Sequence, residues 1–483
     1  MKRSLLSACI LILFTLFAQA QVKPLKLRKG IILDSLKVST DTIPDTFALY
    51  IPSAYTNSEA WPVLFVMDME GKGAETIRKF RSAAEKQRYL LAATNNLNDT
   101  LSISDNIAVV RRLMTTMATM FPIPKGRMYT AGFGDGGKMA GIIPYWVPGV
   151  AGIISIGDPV NNGLFVELAA NRVLKKVKPF RSVGVVGRED HHYPVMLYSR
   201  KQLDNFNLPY DLLVYDGGDE LNDPLMVERA LARLTLDAMR KGLIKKDAII
   251  ISRAFEKEYA DFKQLLEDKR YAEAEVALNS ILKSYQTLIS TDTLIRDKKN
   301  LRRIKEFKVQ RRELRNLIFQ EGLKQADYEY NLLQDLDALN YNNLGWWNYQ
   351  MKKLQEYEKK PSLREKQMGK RLISFLNAMI EDNIKIEQAR PAVDEEAVSL
   401  LWMIKTITDP TDFSYYLKII SDSAKYEDFG TAIFYLEELL KQGFTDKEAL
   451  YALENTALLR IMPEFNKLVE KYLNEARYKL NEE

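Results

Sequence analysis

Cysteine and histidine are nearly absent from this sequence. Among 483 residues there is one cysteine, Cys9, and there are two histidines, the neighbours His191 and His192. A single cysteine excludes an intramolecular disulfide, so the stability of the fold must come from packed cores. Two histidines leave few groups for proton transfer near neutral pH, and a metal site would need further ligands.

No sign of charge dominates the chain either. The chain has 69 Lys and Arg residues and 64 Asp and Glu residues, which gives a formal net charge of +5. Basic clusters occur at 298–303 and 311–312, but they lie in helical, mixed-charge sequence that is typical of a solvated helix face. We therefore expect no nucleic-acid partner. The length predicts two or three domains.

The first twenty residues resemble a secretory signal. A basic start is followed by an apolar run from Leu5 to Phe17 and by Ala18-Gln19-Ala20, an A-x-A cleavage site. The run is short for a membrane span. We expect residues 1–20 to be a signal peptide and the mature chain to be exported to the periplasm or cell surface of a bacterium, without a transmembrane segment. A lipoprotein attached through Cys9 is the alternative, although Cys9 lies near the start of the apolar run.

The remaining chain has two halves with different hydrophobic periods. Residues 22–245 alternate short β-rich runs with helical segments, which predicts an α/β domain with a mostly parallel sheet flanked by helices. Residues 252–483 have almost no strand signal, which predicts an all-α, partly repeat-like domain. Within it, residues 261–285 resemble one tetratricopeptide unit, a helix, a short turn and a second helix. We expect the boundary between about 241 and 252.

One short motif bears on the chemistry of the first half. The stretch YTAGFGDGGKMAG, residues 129–141, contains Gly132-Phe133-Gly134-Asp135-Gly136 after an apolar run and before a helical pattern. In the nucleophile elbow G-x-S-x-G, the middle residue is a serine that attacks a carbonyl. Here the middle residue is Gly134. The glycines that permit a tight strand-to-helix turn are present, whereas the nucleophile is missing.

Five stretches, in order along the chain, resemble the α/β-hydrolase superfamily, nearest to its secreted esterase and polyhydroxybutyrate-depolymerase-like branch. WPVLFVMDMEGKG is similar to the strand and loop of the oxyanion hole, YLLAATNN to the next strand, and RMYTAGFGDGGKMA to strand, elbow and helix. GREDHHYP stands where the family places its triad acid, and VYDGGDEL resembles the loop that carries its histidine. The resemblance implies a hydrolase-like fold for residues 22–245.

The same resemblance implies that no catalytic triad is intact. The nucleophile position is Gly134, which offers neither hydroxyl nor thiol. The position of the base is Asp219, whose carboxylate cannot move protons near neutral pH as an imidazole does. Asp190 retains the position of the acid.

The oxyanion loop is altered as well. Asp68 and Met69 stand where the branch often has His-Gly, which leaves only backbone donors, and a carboxylate beside a developing oxyanion is repulsive. Asp135, next to the apex of the elbow, belongs to the same region. As an alternative nucleophile it is disfavoured, because its side chain should point away from the apex.

His191 and His192 adjoin Asp190 and are the remaining candidates for a ligand in the cleft. Three interpretations stay open: an exposed or structural pair, a proton-transfer pair, and a zinc-like site completed by Asp190 and Asp219 if their loops meet. Because adjacent histidines rarely both face one ion, we expect no metal, and nothing in the sequence implies a cofactor.

These observations predict a non-catalytic, exported hydrolase-like protein. It would bind a small ligand in the cleft or a protein partner through the helical half. The first alternative is an active serine-type esterase or peptidase-like hydrolase with a displaced nucleophile, which a serine within reach of His191 would favour. The second is an envelope scaffold or chaperone-like protein that works through the helical half.

Overall fold

The computed structural model describes residues 27–38, 43–159, 180–205, 209–221, 223–474 and 476–478. The expected signal peptide and Cys9 lie outside these residues, so export and lipidation stay predictions. Among the described helices, none combines the length and the apolar character needed to cross a membrane.

The described residues include the eight strands of a mixed sheet, as the alternating pattern of the first half predicts. The strands are β1 Ile32–Lys37, β2 Thr46–Tyr50, β3 Val63–Met67, β4 Leu90–Thr94, β5 Met128–Phe133, β6 Val150–Ile156, β7 Arg181–Gly187 and β8 Tyr210–Tyr215. The apolar pattern does not reveal β1, because that strand is only partly buried.

By its internal contacts, the chain divides into two compact units, residues 1–124 and 125–483. In the first unit, β2 pairs antiparallel with β1 and with β4, and β3 pairs parallel with β4. The strands β3 and β4 are buried along their whole length, as continuous apolar runs such as VLFVM predict. The helices α1 Gly73–Gln87 and α2 Ile103–Met120 belong to this unit.

In the second unit, β5, β6, β7 and β8 are parallel and adjacent in chain order. The helices α3 Asp135–Trp146, α4 Tyr193–Asn205 and α5 Pro224–Arg240 alternate with them along the chain. Because the strands are parallel, the loops that follow them begin at one edge of the sheet. Ligand sites in open α/β sheets form at this carboxyl edge.

From Ala248 onward the described chain is helical apart from turns and one isolated bridge between Gln286 and Ile289. The helices are α6 Ala248–Glu267, α7 Tyr271–Tyr285, α8 Asp292–Leu301, α9 Lys305–Ala338, α10 Leu344–Gln355, α11 Leu363–Gln388, α12 Glu395–Thr408, α13 Phe413–Lys425, α14 Phe429–Lys441, α15 Lys447–Ala452, α16 Ala457–Ile461 and α17 Pro463–Leu473, with 3₁₀ turns at Tyr341–Asn343 and Glu356–Lys359.

The all-α character of the second half is thereby confirmed. The helices α6 and α7, joined by a short turn, form the pair predicted for residues 261–285. The next long helix, α9, runs for 34 residues without a break, unlike a repeat unit made of two short helices. The tetratricopeptide-like description therefore stays a prediction.

Buried polar contacts join α7 to β7 and β8, and join α6 to α5. Arg181 in β7 pairs with Asp211 in β8, and the Ser284 hydroxyl in α7 donates to the same carboxylate at 2.7 Å. Arg233 in α5 pairs with Glu258 in α6, with 1% and 6% of their side chains exposed. The expected boundary lies between α5 and α6, so this pair spans it. Whether the two halves fold separately stays a prediction.

We predict that Arg233→Met lowers the free energy of unfolding by about 3–5 kcal/mol, because it leaves the Glu258 charge buried without its partner. Adding Glu258→Leu should restore most of the loss, since two apolar side chains replace both charges. Lys441→Met, which breaks a partly exposed pair with Glu438, should lower the free energy of unfolding far less, because solvent screens this pair. Urea unfolding measures all three. A double variant no more stable than Arg233→Met would contradict this account of the join.

Candidate functional site

The turn between β5 and α3 consists of Gly134, whose φ of +49° and ψ of −124° suit glycine. Other residues pay about 1–3 kcal/mol for such a conformation. The Gly134 amide donates to the Ile156 carbonyl at 2.9 Å, which ties the apex to the end of β6. A Cβ on Gly132 would collide with the backbone of Gly136. The close approach of β5 and α3 therefore depends on glycine, as the elbow pattern predicts.

The apex itself is open. Apart from Gly134 itself and its two chain neighbours, no heavy atom of the described residues lies within 4 Å of the point where a Cβ on Gly134 would stand. The position has room for a side chain, and glycine supplies none. Among the described residues, the backbone strain is the one obstacle to a serine here.

The loops after β6, β7 and β8 meet close to one another. Asp190, at the predicted acid position after β7, is fully buried. Its Oδ2 and the carbonyl oxygen of Asp219 lie 3.5 and 3.9 Å from the point where a Cβ on Gly157 would stand. Asp219 is exposed, and its Oδ1 accepts a hydrogen bond from the Glu220 amide at 3.1 Å.

Both histidines approach the Asp190 carboxylate. Asp190 Oδ1 accepts the His192 amide at 2.8 Å and lies 3.5 Å from His192 Nδ1 and 3.8 Å from His191 Nδ1. The two rings are 3.8 Å apart between centroids. On its other side, His192 Nε2 lies 3.8 Å from Asp158 Oδ2. His191 Nδ1 lies 3.0 Å from Ser374 Oγ in α11.

The structure thus adds Asp158, Lys138 and Ser374 to the predicted residues. Asp158 follows β6 at the carboxyl edge, where topology alone could have indicated it. Lys138 is one helical turn beyond the elbow, and its Nζ lies 3.2 Å from Asp158 Oδ2 and 2.8 Å from Asp135 Oδ1. Ser374 comes from the helical half, about 180 positions along the chain from its partner, and no sequence motif marks it.

Burial and charge give these groups different pKa values. Burial raises the pKa of Asp158 to about 6, despite the nearby charges of His192 and Lys138. Burial and the neighbouring His192 lower the pKa of His191 to about 4. Burial also opposes the charged form of His192, but Asp190 and Asp158 outweigh it and raise the pKa of His192. The pair therefore contains one neutral imidazole and one that readily carries a proton.

The residues of the oxyanion region have structural contacts. Asp68 Oδ2 accepts the Lys72 amide at 2.5 Å, in the turn just before α1. Met69 is partly exposed beside it. Both lie in the first compact unit. Asp135 stands at the first position of α3, a position whose amide has no acceptor within the helix. Its carboxylate is 59% exposed and paired with Lys138.

The contact between Ser374 and His191 does not have the geometry of a triad. In a Ser-His-Asp triad, serine and carboxylate bind opposite nitrogens of the imidazole ring. Here Ser374 Oγ and Asp190 Oδ1 both approach Nδ1 of His191. The carboxylate therefore cannot orient the ring for proton removal from this hydroxyl.

Comparison with known proteins finds similarity to solved structures only, at low sequence identity. No protein-family model and no curated protein sequence matches the chain. Among solved structures, an S-formylglutathione hydrolase from Staphylococcus aureus covers 43% of this chain and 96% of its own, with 14% identity and a TM-score of 0.33. Esterase B from Lactobacillus rhamnosis covers 50% and 97%, with 14% identity and a TM-score of 0.37. Esterase 2 from Thermogutta terrifontis covers 47% and 99%, with 13% identity and a TM-score of 0.35.

The arrangement of the second unit defines the fold class more directly. A strained strand-to-helix turn follows β5, and the buried carboxylate of Asp190 follows β7. The loop after β8 lies beside the loop that carries this carboxylate, because the Glu189 amide donates to the Gly217 carbonyl at 2.8 Å. This is the chain order of nucleophile, acid and base in α/β-hydrolases. The chain therefore has a hydrolase-like α/β fold, followed by an all-helical region.

We predict that the two histidines titrate far apart in chelator-treated, untagged protein. The His191 imidazole should remain neutral until the pH approaches about 4, and His192 should lose its proton only above its ordinary pKa of about 6.5. Imidazole NMR resolves both, because the chain has no other histidine. His191→Asn should remove the acid transition alone. If both histidines titrated near pH 6.5, the result would contradict the effects of burial and neighbouring charge described for the two rings.

Proposed function

We propose that this chain is a non-catalytic hydrolase-fold protein, exported to a bacterial envelope, that acts by binding. The observation that supports this most strongly is the open apex at Gly134, where an elbow geometry is kept without a nucleophile. An ester or peptide hydrolase of this fold needs a group there that forms the acyl intermediate.

The position of the base supports the same proposal. The Asp219 carboxylate is exposed and bonded to its own following amide, so it has no imidazole-like role beside the apex. An open cavity of about 610 Å³ lies at this edge and is lined in part by Asp219, Ser374 and Lys370. We propose that a small ligand, if one binds to the hydrolase half, occupies this cavity.

The helical half offers a larger surface for a protein partner. A groove of about 1130 Å³ runs along α12, α13 and α14. Its lining includes five carboxylates and no lysine or arginine among the described residues: Asp394, Glu395, Glu396, Asp422 and Asp428. Tyr426 and Phe434 line it as well, each 57% exposed. The charge and the aromatic surface favour a positively charged peptide segment with an apolar anchor side chain.

One observation favours an active hydrolase as the second candidate. Ser374 Oγ lies 3.0 Å from His191 Nδ1, so a serine is within reach of a histidine. The shared nitrogen and the low pKa of His191 weigh against it, since a base should have a pKa near the working pH. A scaffold or chaperone-like role would use the acidic groove and leave the cleft unused.

We predict no hydrolysis of aryl esters with two to eight carbons above the uncatalysed background, because the apex holds no nucleophile. The variant Gly134→Ser with Asp219→His places both missing groups in the fold. It should remain folded, with a cost of about 1–3 kcal/mol from the positive φ. Turnover by the double variant alone would identify these two positions as the vacant ones.

Ser374→Ala is the control for this assay. Turnover by the unmodified protein would contradict the proposed function, and its loss in Ser374→Ala would assign the reaction to a displaced nucleophile. Turnover that survives Ser374→Ala would instead locate the activity elsewhere in the chain.

We predict that the acidic groove binds a fluorescent peptide of alternating lysine and leucine more tightly than one of alternating glutamate and leucine. Fluorescence anisotropy at rising salt measures the difference, which should shrink as the charges are screened. Glu396→Gln with Asp422→Asn should weaken binding by about tenfold, or about 1.4 kcal/mol. Glu448→Gln with Glu464→Gln, an equal change at exposed positions outside the groove lining, should not. Equal weakening by both pairs would contradict a specific groove.

A further inference from the structure

We propose that Asp190, His191 and His192 form a binding site for a divalent transition-metal cation of the Zn²⁺ type. The inference goes beyond the proposed binding function and does not depend on it. It also revises the sequence-based expectation of no metal, because one ligand atom from each histidine and from Asp190 lies within 4.8 Å of the others.

The donor atoms of the three residues lie close enough together for one ion to contact all of them. Asp190 Oδ1 lies 3.5 Å from His192 Nδ1 and 3.8 Å from His191 Nδ1. One ligand atom from each of the three residues lies within 4.8 Å of the others. A hydrogen bond would be shorter, about 2.7–3.2 Å. Tetrahedral zinc with bonds of about 2.0–2.2 Å separates its nitrogen and oxygen ligands by roughly 3.3–3.5 Å.

Unpaired buried atoms provide an independent observation. Asp190 is fully buried, and its Oδ2 has no hydrogen-bond partner among the described residues. The same holds for Nδ1 of His192. Buried polar groups are normally paired, and a buried charge without a partner is costly. A cation held between the carboxylate and the imidazoles would satisfy these groups together.

Asp158 lies where a residue that supports a metal ligand would be expected, next to His192. A histidine that binds a metal through one nitrogen usually donates its other N–H to a carboxylate. Asp158, which is 1% exposed, places its Oδ2 3.8 Å from His192 Nε2. This exceeds hydrogen-bond distance, so Asp158 would support the ring through its charge. We assign Asp158 this supporting role and not that of a ligand, because the Lys138 ammonium already lies 3.2 Å from the same oxygen.

The donor set determines the class of cation. Two imidazoles and one carboxylate suit Zn²⁺ and neighbouring divalent transition metals better than Ca²⁺ or Mg²⁺, which prefer oxygen ligands. Three protein ligands leave one position of a tetrahedral site for water or another ligand. Asp219, which the sequence suggested as a ligand, instead accepts a hydrogen bond from the Glu220 amide through its carboxylate.

The test uses the untagged mature protein, stripped with EDTA and then freed of the chelator. Competition with a chromophoric chelator measures Zn²⁺ affinity, and Co²⁺ reports the ligand set through its visible spectrum. We expect one equivalent to bind. Asp190→Asn and His192→Ala should weaken binding by about a hundredfold or more, and Asp158→Asn by about tenfold, as outer-shell changes do.

Glu220→Gln is the matched control, since it removes one exposed carboxylate from the loop after β8. Its Zn²⁺ affinity should stay close to that of the unmodified protein. Absence of Zn²⁺ binding, or binding that Asp190→Asn leaves unchanged, would overturn the site. If His192→Ala fails to fold, the unmodified protein decides: Co²⁺ must shift the imidazole NMR signals of both histidines, and unshifted signals would also overturn it. The ester assay can fail or succeed independently of these results.

Discussion

The close packing of α3 against β5 is the constraint on which the candidate site depends. Gly132 brings the strand against the backbone of Gly136, and a Cβ at that position would prevent the approach. The chain can then pass from strand to helix only through a turn with positive φ at Gly134. In a hydrolase this strained turn presents the nucleophile. Here the turn carries no nucleophile at Gly134, and what it provides is the close packing of α3 against β5.

The helical half contributes side chains to the candidate site at the carboxyl edge of the sheet. Arg371 in α11 donates to the Arg188 carbonyl at 2.7 Å and pairs with Glu321 of α9, with both side chains buried. Lys370 of α11 pairs with Glu189 at 3.0 Å. These contacts hold α11 beside the loop after β7 and bring Ser374 next to His191. The helix α11 thus packs beside this loop and adds the Ser374 side chain to the candidate site.

Much of the fold could be predicted from the sequence, because short apolar runs and helical periods are local signals. The continuous run VLFVM indicates a strand buried on both faces, and β3 is such a strand. Partly exposed β1 gives no comparable signal.

Part of the candidate site was also predictable. The spacing of the glycines around Gly134 indicated a tight turn between strand and helix. The convergence of Asp190 with both histidines was not predictable, since it depends on how the turn just before α4 orients two adjacent rings. The role of Ser374 depends on a contact between residues about 180 positions apart, which no local pattern records.

The account holds that the elbow has kept its geometry and lost its chemistry. The most direct test treats the purified mature protein with a fluorophosphonate, which forms a covalent adduct with an activated serine, and measures the intact mass. We predict no adduct on the unmodified protein at a reagent concentration that fully labels a known serine esterase. A stoichiometric adduct, mapped by peptide mass spectrometry to Ser374 or to any other serine, would contradict the account.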